Sequence, residues 1–165
     1  MTSGTPDGPR IRPLPPAEWP ESMRDALAAL RPPEPRHPLP KQGGDRPKGL
    51  NVLGTLARHP ALARAYHTFN GHVQFATTLS VRQRELLVLR VAAVRQAEYE
   101  WAQHVGSVGK AREKGLDPLK IAEGGFASGW SPLDRALLTA ADELWTGSVV
   151  TDNTWTGMSQ NLDLT

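Results

Sequence analysis

The stretch from Ser80 to Gly115 contains the longest apolar run in the chain, Leu86 to Val94, in which only Arg90 is polar. A helix that is apolar nearly all round lies at the centre of a bundle. A buried parallel strand would show a similar run, but this one is long and has no Gly or Pro break. Ser80 and Gln83 have the spacing of a capping box, which begins a helix. The sequence therefore predicts a central helix that starts at Ser80.

The end of this helix is less well defined by the sequence. Periodicity does not decide whether it continues to Lys114 or breaks near Gln96. Gly115 is a suitable end in both cases, because glycine adopts the left-handed conformation that follows many helices. In either case Glu100 and His104 are four residues apart, so about 40° separates them around a helix and their side chains share one face.

Shorter segments with helical start signals surround the central stretch. Prolines in first turns, polar caps and regular apolar spacing predict helices that begin near Pro20, Gly49, Pro60, Asp117, Ser131 and Asp152. The helix after Pro60 has the clearest amphipathic pattern, and we expect its apolar face to pack on the central helix. This face consists of Leu62, Tyr66, Phe69 and Val73. The pattern predicts an all-α bundle of about six or seven helices.

The domain organisation is expected to be simple. The chain has 165 residues, which is enough to bury a core, and we predict one helical domain over residues 17–165. Residues 1–16 are rich in Pro, Gly and small polar side chains and are expected to form a flexible arm. The Pro/Gly-rich loop over residues 32–48 is long for a compact domain. It is either disordered or a functional covering loop, and the first interpretation is favoured.

Charge and hydropathy argue against several kinds of partner. The net charge is only +2 and there is no block of Lys and Arg, so nucleic acid is not an expected partner. No apolar segment reaches the length of a membrane span, and residues 1–16 lack the apolar core of a signal peptide. We therefore expect no membrane association and a cytoplasmic location.

One tight cluster of side chains is suited to acid and base chemistry. It consists of Glu85, Glu98, Tyr99, Glu100 and His104. Glu98 and Glu100 are two residues apart and cannot share a helical face, so Glu100 is the predicted partner of His104. Glu98 is expected to cap a helix or to pair with Arg90 or Arg95.

A metal site made from Glu85, Glu100 and His104 would use ordinary ligands. Metal sites in helical bundles, however, place Glu-x-x-His motifs on two helices. The spacing here is one residue longer and occurs once. We therefore predict no metal.

The other four histidines have simpler interpretations. His37 lies in the Pro-rich loop and His59 in a turn before Pro60. His67 and His72 lie away from the apolar face of their helix, and we expect both to face solvent; the alternative is that either one faces a pocket.

The sequences RQRELLVLRVA and AEYEWAQH together resemble the carboxymuconolactone decarboxylase family, whose superfamily includes the thiol peroxidase alkylhydroperoxidase D. The resemblance extends from about Leu50 to the end of the chain and implies an all-α bundle of the alkylhydroperoxidase D type. The peroxidases carry a Glu, a CxxC pair and a His, which fall here on Glu85, Ala97 with Glu100, and His104. The chain contains no cysteine. It therefore cannot form the thiolate and sulfenic acid that a thiol peroxidase needs.

The resemblance also implies an activity. It is the decarboxylation of a small carboxylated lactone or a related organic acid without a cofactor, with His104 as the acid and Glu100 or Glu85 as its partner. A carboxylated substrate needs basic or hydrogen-bonding partners. Four further side chains are candidates for substrate binding: Tyr99, Arg82, Arg84 and Arg90.

Other interpretations remain open, because a fold of this kind hosts several reactions. The chain could be a non-catalytic oligomeric protein that binds a small molecule. It could also be a superfamily member that has lost thiol peroxidase activity and keeps a thiol-independent redox or metal function. The resemblance implies a homo-oligomer, a trimer or a hexamer. In the family one more apolar helix is expected after the position of Thr165, so either the sequence stops short of that helix or its packing position is filled differently.

Overall fold

A computed structural model describes residues 8–39, 50–106 and 111–162 of the chain. In these ranges all regular secondary structure is helical, with eight α-helices in place of the six or seven expected, so the predicted all-α class is confirmed. None of these helices combines the length and the apolar composition that a membrane crossing requires. The predicted arm and the predicted loop lie partly outside the described residues, which leave out residues 1–7 and 40–49. The chain forms two compact units, Met1–Thr78 and Leu79–Thr165.

The first unit is built from three α-helices. They are α1 (Ser22–Ala28), α2 (Leu50–Leu56) and α3 (Pro60–Gly71), and a π-helical turn at His72–Ala76 follows α3. A small core is formed by Met23, Ala26, Ala57 and Ala63. Gly71 allows α3 to approach the end of α1 closely, because a Cβ atom there would lie 2.5 Å from the carbonyl oxygen of Leu30. Small side chains therefore decide how α1 and α3 pack.

The face of α3 that packs within this unit differs from the predicted one. Ala63, His67 and Gly71 are buried. The predicted face consists of Leu62, Tyr66, Phe69 and Val73, which are between 39% and 70% exposed, and we call it the α3 stripe. The prediction that these side chains are buried is wrong for the single chain. The sequence pattern located the large apolar side chains, but the close contact with α1 uses the small ones.

His67 differs from its prediction as well. We expected a solvated ring, but His67 is 2% exposed and neither of its ring nitrogens has a hydrogen-bond partner within the described residues. The Tyr66 ring packs edge-on against it, with 5.5 Å between the ring centroids. Burial lowers the pKa of His67 below its ordinary value, because the imidazolium loses its hydration. His72 is exposed, as predicted.

We expect His67→Leu to stabilise the protein, and to do so more at pH 5 than at pH 8. In the unfolded chain His67 titrates near about pH 6.5, whereas in the native protein its pKa is lower. Below about pH 6.5 the unfolded state therefore binds a proton that the native state does not, so the stability of the native protein decreases as the pH is lowered. Leucine removes this proton and the unpaired ring nitrogens, which cost about 1–3 kcal/mol when buried.

Urea denaturation at the two pH values measures the gain in the free energy of unfolding. His72→Leu is the matched control, because His72 lies on the same stretch of chain and is exposed. A His67→Leu variant that is less stable than the wild type, or equally stabilised at both pH values, would contradict the prediction.

The second unit is organised around α4 (Val81–Val94), as predicted. The other helices are α5 (Glu98–Val105), α6 (Pro118–Glu123), α7 (Pro132–Gly147) and α8 (Asp152–Ser159). Helix α4 packs against α5, α6 and α7, and α8 packs on α7. The core includes Leu86, Leu89, Ile121, Leu137 and Leu138. Within this unit α4 is therefore the central helix.

Side chains cap the N-termini of several helices of this unit at the predicted positions. The capping box of α4 is confirmed: the Gln83 N–H donates to the Ser80 hydroxyl at 3.2 Å, and the Ser80 N–H donates to the Gln83 side chain at 2.8 Å. The predicted caps of α6 and α7 are also present. Helix α8 is capped by Thr151, not by Asp152 as predicted. Thr151 accepts from the N–H three residues on, which is the usual geometry of a helix cap.

Helix α4 ends before Gln96, so the two alternatives left open by the sequence are resolved in favour of a break. The N–H of Ala97 donates to the carbonyl of Ala92 at 2.9 Å, and the N–H of Gln96 donates to that of Ala93 at 3.1 Å. Gln96 has φ = +52°. These features form a Schellman motif, which closes a helix. Gly115 has φ = +69° after the 3₁₀ turn at Ala111–Lys114, as expected for a terminating glycine.

Two ion pairs join α4 to α7. The Arg82 Nη1 atom lies 2.8 Å from Asp134 Oδ1, and the Arg90 Nε atom lies 2.6 Å from Asp142 Oδ1. Arg90 is 9% exposed and also donates to two carbonyl oxygens of α6, at 3.1 and 2.7 Å. Each arginine precedes its aspartate by 52 residues. Because both pairs have the same offset, α4 and α7 run parallel.

Candidate active site

The predicted acid and base groups meet where α5 packs on α4. Glu85 lies in the first half of α4, and His104 lies near the end of α5. The His104 Nδ1 atom is 2.8 Å from Glu85 Oε2, and its Nε2 atom is 3.7 Å from Glu100 Oε2. The structure thus brings all three predicted catalytic residues together.

The break at Gln96 makes this meeting possible. Glu85 and His104 are 19 residues apart in the sequence. In an uninterrupted helix that separation would place them about 28 Å apart. The chain instead turns over residues 95–97, so that α5 packs back on α4. The geometry of the site therefore depends on the end of α4.

Glu85 is the buried member of the group, at 4% exposure. Its second oxygen, Oε1, lies 3.4 Å from the Nζ atom of Lys114. Burial alone would raise the pKa of Glu85, but the hydrogen bond and charge of His104, together with Lys114, outweigh it and hold that pKa below its ordinary value. Glu85 is therefore a carboxylate at neutral pH and can only accept hydrogen bonds. His104 Nδ1 carries the hydrogen between them, which leaves Nε2 as the acceptor in the neutral ring.

The two carboxylates hold His104 to different degrees. The 3.7 Å separation between Glu100 and His104 Nε2 is too long for a hydrogen bond, and the Glu100 side chain is 51% exposed. The His104 side chain is 19% exposed. Glu85 is therefore the carboxylate that orients the imidazole, and Nε2 is the ring atom that can exchange a proton.

The predicted substrate-binding residues Arg82, Arg90 and Tyr99 do not contact Glu85 or His104 in the contacts described above. Arg82 and Arg90 both hold α4 to α7, and the donors of Arg90 face Asp142 and α6. Tyr99 is 37% exposed on α5. Lys114 is a basic residue near the site that the sequence analysis missed. No helical spacing relates it to Glu85, because a 3₁₀ turn carries it back to α4.

A separate cavity of about 290 Å³ opens beside the turn between α4 and α5. It is lined by four alanines and Trp101, and Gln96 and Glu98 complete the lining. Glu98 is the single charged residue of that lining. Glu85, Glu100 and His104 are not part of it, so the cavity and the acid–base pair are distinct features.

Glu85, Glu100 and His104 were also considered as metal ligands in the sequence, since carboxylate and imidazole are ordinary ligands. In the parts of the chain that the structure describes, no group of three or more His, Asp or Glu side chains is placed to hold a metal ion. The 2.8 Å contact between Glu85 and His104 is a direct hydrogen bond.

Comparison with known proteins gives one match. A family model described as the carboxymuconolactone decarboxylase family matches residues 60–143, about half of the 165-residue chain. The matched range includes α4 and α5, and with them Glu85, Glu100 and His104. No curated protein and no solved structure matches the chain.

Proposed function

Because the chain belongs to the carboxymuconolactone decarboxylase family, we propose that it is a cofactor-free acid–base enzyme acting on a small carboxylated lactone or a related organic acid. The observation that carries this proposal is the 2.8 Å contact between His104 Nδ1 and the buried Glu85 carboxylate. A carboxylate in this position fixes the tautomer of the imidazole and stabilises its charged form. Such a pair is suited to proton transfer at Nε2.

The proposed reaction consumes one proton. When a carboxylated butenolide loses carbon dioxide, the broken C–C bond leaves its electron pair in the conjugated lactone. Protonated His104 delivers the proton from Nε2 to the lactone carbon that takes up this electron pair. Glu85 stabilises the imidazolium until the proton is transferred. The ring then regains a proton from water. A general acid of this kind contributes about 10² to 10⁴ in rate.

We propose that Lys114, rather than Arg82 or Arg90, binds the carboxylate of the substrate. Its Nζ atom lies 3.4 Å from Glu85, so it is close to the acid–base pair. An ammonium group has three donors and can bind a substrate carboxylate while it keeps its contact with Glu85. The arginines remain in their ion pairs with α7. The role of Tyr99 stays a prediction.

A turnover screen tests the proposal. The purified protein is incubated with a panel of carboxylated butenolides and related acids, and carbon dioxide release is followed. We expect at least one compound to be consumed above the rate without enzyme, both with and without a chelator. The open cavity beside α5 supports the alternative of a non-catalytic binding protein. Such a protein would bind a compound without consuming it. Metal analysis of the purified protein tests the metal or redox alternative.

We also propose that the chain forms a homo-oligomer, a trimer or a hexamer. The α3 stripe supports this, because its four large apolar side chains share one helical face and remain between 39% and 70% exposed. A contiguous apolar surface of this kind usually marks an interface. A cytoplasmic location is proposed on the sequence grounds given above.

Phe69→Glu should shift the protein to a smaller species. Phe69 is the most exposed residue of the α3 stripe, at 70%, and a carboxylate buried in an interface pays a large desolvation cost. Sedimentation velocity at micromolar concentration measures the change. Ala61→Glu is the control, since Ala61 is exposed on the same helix outside the stripe. A wild-type protein that sediments as a stable monomer would contradict the proposal.

A further inference from the structure

Gln96 occupies a backbone position that favours glycine. Its φ of +52° lies in the left-handed region, which side chains with a Cβ atom adopt at a cost. The position is the one that follows a Schellman-type helix end, where Gly or Asn is usual. The Gln96 side chain lines the cavity beside the turn between α4 and α5. Unfavourable backbone conformations of this kind cluster at binding sites.

The cavity offers three kinds of contact. The four alanines and Trp101 make most of the lining apolar, and Trp101 is its aromatic residue. Gln96 provides an amide, and Glu98, which is exposed, provides a negative charge. The volume of about 290 Å³ lies near the lower end of the range for small-molecule sites, about 300–1,000 Å³. It suits a ligand with a single ring.

The charge of Glu98 is not neutralised in the way the sequence predicts. The expected roles of Glu98 were a helix cap or a pair with Arg90 or Arg95, but α5 begins at Glu98 itself and has no side-chain cap. Arg90 is bound to Asp142, and the Arg95 guanidinium lies 3.8 Å from the centroid of the Trp145 ring. Both arginines are therefore engaged elsewhere, and the rim of the cavity carries a carboxylate that attracts cations and repels acids.

We propose that this cavity binds a single-ring organic amine. The ring stacks on Trp101, the ammonium group pairs with Glu98, and the Gln96 side-chain carbonyl accepts a hydrogen bond from it. A cation close to an indole face gains a further attraction. The inference goes beyond the proposed function, because the acid–base pair lies outside the lining and an amine has the opposite charge to the proposed acid substrate.

Titration with benzylamine and with benzoate tests the charge preference. Both probes carry one aromatic ring, and calorimetry or ligand-observed NMR at pH 7 measures their binding. Benzylamine should bind with a Kd of about 0.1–1 mM, which is reasonable for a ligand of its size. Benzoate should bind at least about tenfold more weakly, because Glu98 repels it.

Two variants locate the binding. Glu98→Gln should weaken benzylamine binding by about two- to fivefold, as expected for the loss of an exposed ion pair. Glu123→Gln is the control, because this exposed carboxylate lies on α6 outside the lining, and it should leave the Kd unchanged. Gln96→Gly should raise Tm by about 2–4 °C, because glycine relieves the backbone, and should weaken benzylamine binding. The proposal is overturned if benzylamine does not saturate, if benzoate binds equally well, or if Glu98→Gln binds like the wild type.

Discussion

Replacing His104 with Gln should lower turnover by about 10²-fold or more while the protein stays folded. Glutamine keeps the polarity and much of the volume of histidine, but it does not titrate and cannot deliver a proton. Steady-state kinetics with a compound found in the turnover screen measure the loss in kcat. Circular dichroism and Tm establish that the variant is folded.

The two carboxylates around His104 should differ in their effects. Glu85→Gln should cost more turnover than Glu100→Gln, because Glu85 is buried and bonded to Nδ1 at 2.8 Å, whereas Glu100 is exposed and 3.7 Å from Nε2. Glu100→Gln should also cost less than His104→Gln. A surface ion pair predicts something different, namely unchanged turnover in the His104 and Glu100 variants and stability changes well under about 1 kcal/mol. That outcome would remove the catalytic assignment.

Arg90→Met should lower the free energy of unfolding by about 3 kcal/mol, the lower end of the range for breaking a buried ion pair. Arg90 is 9% exposed and bonds Asp142 as well as two carbonyl oxygens of α6. Methionine fills much of the space of the arginine stem but leaves these acceptors without their donor. The side chain of Asp142 is 24% exposed, so water compensates part of the loss.

Arg82→Met is the matched control for this prediction. It removes the same side chain from the same helix, and with it an ion pair to α7 of the same sequence offset. The Arg82 side chain is 38% exposed, but its partner Asp134 is 9% exposed and loses this donor, so the change should cost about 1–2 kcal/mol, still less than Arg90→Met. Urea denaturation of both variants gives the comparison. Equal losses would mean that burial does not determine the strength of these pairs.

Features that depend on neighbouring residues were predicted well. The capping box at Ser80 needs only the spacing to Gln83, and the placement of Glu100 3.7 Å from His104 needs only one helical turn. The end of α4 was left open because Gln96, unlike glycine, gives no sign of a left-handed conformation. In the structure α4 ends at backbone hydrogen bonds from Gln96 and Ala97, and the residue types at these positions do not predict such bonds.

Features that depend on distant residues were predicted poorly. Amphipathicity shows which side of α3 is apolar, but it does not show that α1 packs against Ala63 and Gly71, and so it misplaced His67. Lys114 reaches Glu85 across 29 positions in sequence and belongs to no periodic pattern. Glu85 was assigned to the site from the family resemblance, because the 19-residue spacing to His104 does not by itself predict that α5 packs on α4.

The equal offset of the two arginine–aspartate pairs restricts how far α4 can slide along α7. Arg82 and Arg90 are eight residues apart, as are their aspartates, so the two contacts are about 12 Å apart along the helices. If α4 moved along α7 by one turn, about 5.4 Å, both pairs would separate at once and the buried Arg90 would lose its aspartate partner. Glu85 lies between the two arginines on α4. The position of Glu85 along α7 is therefore fixed by the two ion pairs, one on each side of it in the sequence.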